Sequence, residues 1–357
     1  MGLFDFIDQA QNEAVGIDIG TSAIKAVHLD ISNRPTFKNF AIARLKKGSI
    51  QTSNQIIAGK QISNILSFAL AKSNIKCKSA SFSVPNFSTF ISFVTIPKVD
   101  KEQLPARLEQ EAKKFIPVPL SEVSLGWEII RDRNQKKFLE MNSGGKTMKI
   151  LIMAISNDTI SKYETIAKGS KLNLTSIEAE TMSLIRCLIG GADRKNTILI
   201  LDIGSRICNI LVVSRGYLKG SRNIDVGGGD ITKAISRSLG VDMVRSEALK
   251  KEGGLEDSRI KDLIKPVLGR IAQESKRMIQ TYNQKNPNNP VQKVLSAGGT
   301  AKLKGFEAFL KQELSLPIHP GDPWSQINFS SEQEPILRSF QDELAVSIGS
   351  ALNGYKS

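Results

Sequence analysis

The sequence predicts an α/β protein built from two related halves, and three observations carry that expectation. A strand–turn–strand pattern occurs once in each half with the same residue types in the same order, Asp18-Ile19-Gly20-Thr21 and Asp202-Ile203-Gly204-Ser205. The chain has 357 residues, more than one hydrophobic core usually spans, so two bodies with a cleft between them are expected. Two further apolar strands turn through glycines into helical patterns, at Gly227-Gly228-Gly229 and at Gly298-Gly299.

The first hairpin runs from Val15 to Val27 and the second from Ile198 to Val213, and they align without a gap. Gly20 and Gly204 let each turn bring its backbone N–H groups close to an anion, and Thr21, Ser22 and Ser205 add hydroxyl donors. Asp18 and Asp202 end the leading strands and point at the same spot. A carboxylate there repels phosphate directly but holds a hydrated magnesium ion that bridges to it. Lys25, on the returning strand, either supplies positive charge to the phosphates or faces solvent. One Asp-Ile-Gly-Ser segment is a common structural turn; two in register are far more specific.

Gly227, Gly228 and Gly229 open the helical pattern Ile231, Ala234, Ile235, Leu239. Free N–H groups and the helix dipole at such a start favour an anion by about 0.3–1 kcal/mol, while Asp230 also reads as an N-cap. Gly298 and Gly299, followed by Thr300 and Leu303, let a flat ring lie against the backbone, or make an ordinary turn into a helix that runs to about Leu314. Ser143-Gly144-Gly145-Lys146-Thr147 mimics the end of a P-loop, but Glu140 stands where the first glycine must be, and the segment reads as a polar turn. No G-x-G-x-x-G fingerprint occurs.

Composition narrows the setting. The chain is 40% apolar and 24% charged, as folded proteins are. Cys77, Cys187 and Cys208, with His28 and His319, lie far apart in sequence, which supports neither a disulfide framework nor a zinc site and fits a reducing cytoplasm. No apolar run approaches the ~20 residues that cross a bilayer. The start, Met1-Gly2-Leu3-Phe4-Asp5-Phe6, carries an acid where a signal peptide is basic, and Phe6 stands where a myristoylation motif needs Ser or Thr. Leu3, Phe4, Phe6 and Ile7 touch a membrane or partner, or tuck onto the protein's own surface. The net charge of +14 suits nucleic acid, an anionic membrane or an acidic partner. Its clusters, Lys46-Lys47, Lys113-Lys114 and Arg131 to Lys137, lack interleaved aromatics, so a solvated basic face and membrane proximity rank ahead of nucleic acid.

These motifs, in this order, resemble the actin, Hsp70 and sugar-kinase superfamily. The resemblance implies two duplicated ribonuclease-H-like domains that bind ATP and Mg2+. Phosphate 1 then lies at Asp18 to Lys25, phosphate 2 at Asp202 to Asn209, and adenosine at Gly298 to Leu303. Within the superfamily the likeness is to the FtsA-like branch and its PilM family of type IV pilus assembly, carried by Gly2-Leu3-Phe4-Asp5-Phe6, Val94-Thr95-Ile96-Pro97 and Leu108 to Val123. It implies a cytoplasmic protein, peripheral to the inner membrane, that grips the cytoplasmic tail of the single-span protein PilN, links the motor side to the periplasmic alignment complex and serves twitching motility. It implies no nucleic-acid ligand and leaves self-association open. Glu247 and Lys250 resemble the family's ribose-side helix, or form an exposed i, i+3 ion pair.

The expected organisation is a tail (1–12), a first core with phosphate 1 (13–78), an inserted α+β subdomain (79–156), a return with a connecting helix (157–195), a second core with phosphate 2 (196–229), a helical subdomain (230–290) and a final core segment (291–357). In the insert, a helix from about Lys101 to Phe115 is stopped by Pro117 and Pro119, with Leu104, Leu108, Ala112 and Phe115 as its packing stripe. Exposed strands and grooves there suit an added peptide strand. Arg206 is bulky, and Asn209 stands where the superfamily usually has a hydroxyl residue, which points to slow ATP turnover or none. Glu178 and Glu180 are the candidates for a base, against a solvent-facing role. Two other readings stay open. An FtsA-like filament former would carry a linker and amphipathic helix after the stripe Ile336, Leu337, Phe340, Leu344, Ile348, Leu352, and a metabolic kinase would need a small-molecule pocket with a catalytic carboxylate.

Overall fold

The computed structural model describes residues 12–45, 59–100, 102–130 and 147–355. Met1 to Gln11, Lys46-Lys47, Arg131 to Lys137 and Ser143 to Lys146 lie outside the described residues. Two five-stranded sheets share one topology. The first comprises β1 (Glu13–Ile19), β2 (Ala23–Asp30), β3 (Thr36–Arg44), β4 (Ser79–Val84) and β8 (Asn173–Ala179), in the order β3-β2-β1-β4-β8. The second comprises β9 (Thr197–Ile203), β10 (Cys208–Ser214), β11 (Tyr217–Ile224), β12 (Lys293–Ala297) and β13 (Ile318–Pro320), in the order β11-β10-β9-β12-β13. The leading hairpins match in register: Asp18 lies opposite Lys25 and Asp202 opposite Asn209.

The central strands are nearly continuous apolar runs because both of their faces are covered. Ile198 and Ile200 of β9 enter a core shared by the two sheets, while Leu199, Leu201 and Ile203 enter the core of the second half alone. The shared core holds α4 (Glu180–Leu188) and α9 (Glu334–Ala351). Outside the first sheet lie α1 (Gly59–Lys72) and α3 (Asn157–Gly169). Outside the second lie α5 (Gly228–Leu239), α7 (Lys261–Lys285) and α8 (Phe306–Leu314). The result is five layers, helix–sheet–helix–sheet–helix.

Two glycines let α9 close on the first half. A Cβ on Gly16 would lie 1.9 Å from the Ser347 carbonyl oxygen and 2.2 Å from the Ala351 nitrogen. One on Gly349 would lie 1.9 Å from the Ser183 carbonyl oxygen.

A third sheet, in the order β5-β7-β6, combines β5 (Thr89–Pro97), β6 (Val123–Ile129) and β7 (Thr147–Ser156), with α2 (Leu104–Ala112) packed on it through Leu104, Leu108 and Ala112. Three expectations are corrected. Residues 79–84 are not part of the insert: as β4 they sit between β1 and β8, parallel to both. The α2 helix is shorter than Lys101 to Phe115, and Phe115, 45% exposed, leaves the packing stripe because the chain turns before the prolines. The helix after Gly299 is interrupted: a single 3-10 turn (Gly299–Lys302) ends at Leu303, and Gly305, in the left-handed region at φ 76°, starts α8 afresh.

Candidate functional site

Each hairpin is closed by the same bond, from Gly20 N–H to the Ala23 carbonyl at 3.0 Å and from Gly204 N–H to the Ile207 carbonyl at 3.0 Å. Among the described residues, the N–H groups of Thr21, Ser22, Ser205 and Arg206 have no backbone acceptor, so the turn donors remain for a ligand. Lys25 Nζ donates to Asp18 Oδ2 at 2.8 Å. Asn209, at the matching position of the second hairpin, donates from Nδ2 to Asp202 at 3.0 Å and to Glu180 at 3.4 Å. Glu180 is the first residue of α4, and that helix start carries its carboxylate between the hairpins.

Asp18, which is buried, and the half-buried Glu180 and Asp202 therefore share one half-buried ammonium, Lys25, and the balance is negative. Burial, then the Asp18 and Asp202 charges, pushes the Glu180 carboxyl up to about 8. Burial also raises Asp202. Burial works against the Lys25 ammonium, but its bond to Asp18 and the charges of Asp202 and Glu343 raise it overall. Asn209 Oδ1 is buried with no hydrogen-bond partner among the described residues, which costs about 1–3 kcal/mol unless a donor arrives. Excess carboxylate, buried at Asp18 and half-buried at Glu180 and Asp202, beside an orphan acceptor is a donor set suited to a hydrated divalent cation.

Other predicted residues fall in different places. Glu178 and Glu180 do not face solvent. Glu178 is buried, chelated by Arg186 at 2.6 Å through each of two nitrogens and by Ser183 Oγ at 2.5 Å, while Arg186 also reaches the Gly349 carbonyl at 2.7 Å. Glu178 is thus committed to a clamp that ties β8 to α4 and, through Arg186, to α9. The glycine loop does not offer free N–H groups: Gly228 and Gly229 donate to the carbonyls of Gly204 and Ser205 at 2.9 and 2.7 Å, and Gly227 to Asp230 at 3.1 Å. Its role is close approach, since a Cβ on Gly227 would lie 2.6 Å from the Ser205 oxygen.

Glu247 and Lys250, on α6 (Met243–Gly253), form no exposed pair. Lys250 is buried, donating to Glu247 at 2.8 Å and to the Gly228 carbonyl and Thr232 Oγ1 at 3.1 Å. Burial opposes ionisation of Glu247, but its bonds to Lys250 and Thr232 hold its carboxyl below the usual range. Thr300 Oγ1 would lie 2.5 Å from a Cβ on Gly228, so Gly204, Gly228, Lys250 and Thr300 converge. Gly298, at φ 82°, packs on β9, while the Leu303 side chain lies in the core of the second half and cannot line a ring site. Sequence reasoning missed Thr232 and Glu343, the latter gripped by Arg44 at 2.5 and 3.0 Å; no local motif marks either one.

The sequence spacing also hid one cluster: Glu13, His28 and Cys77 bring their ligand atoms within 4.8 Å of one another. Within it His28 and Glu13 are in contact at 3.1 Å, while the half-buried Cys77 thiol, raised by desolvation, donates instead to the Ser79 carbonyl at 3.8 Å.

Two duplicated sheets, shared central helices and paired Asp-Gly hairpins define an actin-like ATPase fold. The chain belongs to the family of the type IV pilus assembly protein PilM, whose model matches residues 16–355. It is similar to a chain in a solved PilM–PilN type IV pilus biogenesis complex, with 22% identity and a TM-score of 0.84 over 98% of this chain and 100% of that one. The ethanolamine utilization protein EutJ from Carboxydothermus hydrogenoformans is similar at 17% identity and TM-score 0.57 (97% of this chain, 91% of that one). MreB5 of Spiroplasma citri bound to AMPPNP is similar at 13% identity and TM-score 0.52 (96% of each chain).

Proposed function

We propose that the protein binds ATP with Mg2+ between its two hairpins and, in that form, grips the cytoplasmic tail of a PilN-like single-span protein at the inner face of the membrane. There it links the motor side of the pilus machine to the periplasmic complex. The observation that carries the nucleotide half is the Asp18–Lys25–Glu180–Asp202 cluster, buried at Asp18 and half-buried elsewhere, which is short of positive charge. Asp18 and Asp202 would hold the cation, which bridges carboxylates to phosphates and neutralises both. Lys25 and the turn N–H groups face the phosphates, and Lys250, Thr300 and Gly298-Gly299 the nucleoside.

Slow turnover follows from the same residues. Glu180 is the carboxyl able to orient or deprotonate a water, yet its raised pKa keeps it largely protonated near neutral pH. ATP would then organise the protein more than drive it. For the tail, the insert offers two sheet edges, β5 and β6, and an apolar groove of about 290 Å³ between α2 and β6 lined by Leu108, Leu120, Val123, Leu125 and Trp127. The solved PilM–PilN complex of a similar chain supports such a partner. Calorimetric titration with Mg-ATP tests the nucleotide half: Asp18→Ala and Asp202→Asn lose binding and Glu180→Gln keeps it. Equal affinity in all four proteins would remove the cleft from the account.

A further inference from the structure

Glu13, His28 and Cys77 converge at the end of the first sheet that lies away from the Gly20 turn. In the β1–β2 register Glu13 faces Asp30 and Val15 faces His28, so Glu13 and His28 are diagonal neighbours on one face of the hairpin. Val15 and Ala26 of that face enter the core beneath α1 and α3. Cys77 leads into β4, on the other side of β1, and packs against the same core. Three adjacent segments therefore deliver one carboxylate oxygen, one imidazole nitrogen and one sulfur, all within 4.8 Å of one another.

The donor types and their spacing define the ligand. A carboxylate, an imidazole and a thiolate together suit Zn2+, whereas Mg2+ and Ca2+ take oxygen donors. In a tetrahedral zinc site, bonds of about 2.0–2.3 Å set neighbouring ligand atoms about 3.3–3.6 Å apart. The His28 Nε2–Glu13 Oε2 separation of 3.1 Å is already close to such an edge. Cys77 Sγ donates to the Ser79 carbonyl at 3.8 Å, a long bond that a metal bond replaces. His28 is 8% exposed, so its ring is held by its surroundings, while Glu13 is exposed and leaves the ion a way in. Binding sends the Cys77 proton to solvent, and the resulting thiolate with the Glu13 carboxylate matches the two charges of the ion.

We propose that Glu13, His28 and Cys77 bind a zinc ion, with water as the fourth ligand. The ion pins the start of β1, the end of β2 and the entry to β4, and so ties the hairpin that carries the Gly20 turn to the strand beside it.

The test uses Co2+ as the spectroscopic probe, added to the reduced, metal-free full chain in excess Mg2+, which fills sites made of oxygen donors alone. One equivalent gives thiolate-to-cobalt charge-transfer absorption with the intense d–d bands of a tetrahedral site, and Zn2+ abolishes both by displacement. Cys77→Ser loses the charge-transfer band; Cys187 and Cys208 are buried and do not replace it. Glu13→Gln and His28→Gln each lower Zn2+ affinity by about tenfold or more. Glu13→Gln, at an exposed position, leaves the metal-free Tm unchanged, which separates a lost ligand from a lost fold. Zn2+ raises the Tm of wild type and not that of Cys77→Ser. Absence of the charge-transfer band in wild type, its persistence in Cys77→Ser, or equal Zn2+ affinity in wild type and Glu13→Gln overturns the proposal.

Discussion

Glu180 carries the most direct pH consequence. A carboxyl held near 8 in the folded protein and near its ordinary value when unfolded keeps its proton in the folded state while the unfolded chain has lost it. Stability of the nucleotide-free protein should therefore fall as pH rises from about 4.5 to 8. Glu180→Gln should flatten that slope in thermal melts at several pH values; an unchanged slope would mean that the charge cluster does not control it. Asp18, Lys25, Asp202 and the turn glycines were legible because their chemistry is local to a hairpin. The base candidate was legible only as a pair, since which glutamate reaches the cleft depends on where β8 ends and α4 begins. The three loop glycines misled because free N–H groups cannot be told from partnered ones without the facing turn.

At the scale of elements, close packing of α9 on β1 and α4 is the main mechanical feature. Gly16→Ala and Gly349→Ala each force a methyl into backbone atoms that cannot yield like a side chain, and each should destabilise by about 3 kcal/mol, read as loss of Tm or of soluble yield. Normal melting of either variant would mean that the helix has room to shift. The groove between α2 and β6, which Pro105 and Trp127 both line, makes a separate prediction: Trp127→Ala and Pro105→Glu should weaken tail-peptide binding tenfold or more and leave Mg-ATP binding intact. The two paired hairpins, the insert's three strands and its helix could be read from alternation and proline stops. The placement of β4 could not, because a strand buried on both faces looks the same in either sheet.

For the whole molecule, the five layers place α4 and α9 between the sheets, with Glu180 at the cleft end of α4 and Glu343 of α9 paired to Arg44 beside it. A ligand that draws the hairpins together therefore acts on helices packed against both halves, and Leu151 and Met153 of the insert share that same core. This contiguity is the route by which the proposed cleft occupancy would reach the insert. The duplication was visible in sequence through the paired hairpins; the shared core was not, since α9 returns to the first sheet from the far end of the chain. The most direct measurement is binding of a labelled cytoplasmic tail peptide of the neighbouring single-span membrane protein, with and without Mg-ATP, to wild type and Asp18→Ala. Saturable binding that weakens without nucleotide and in Asp18→Ala is the predicted result. Absence of binding under every condition, with Mg-ATP binding by wild type intact, would contradict an ATP-organised adaptor and favour filament formation instead.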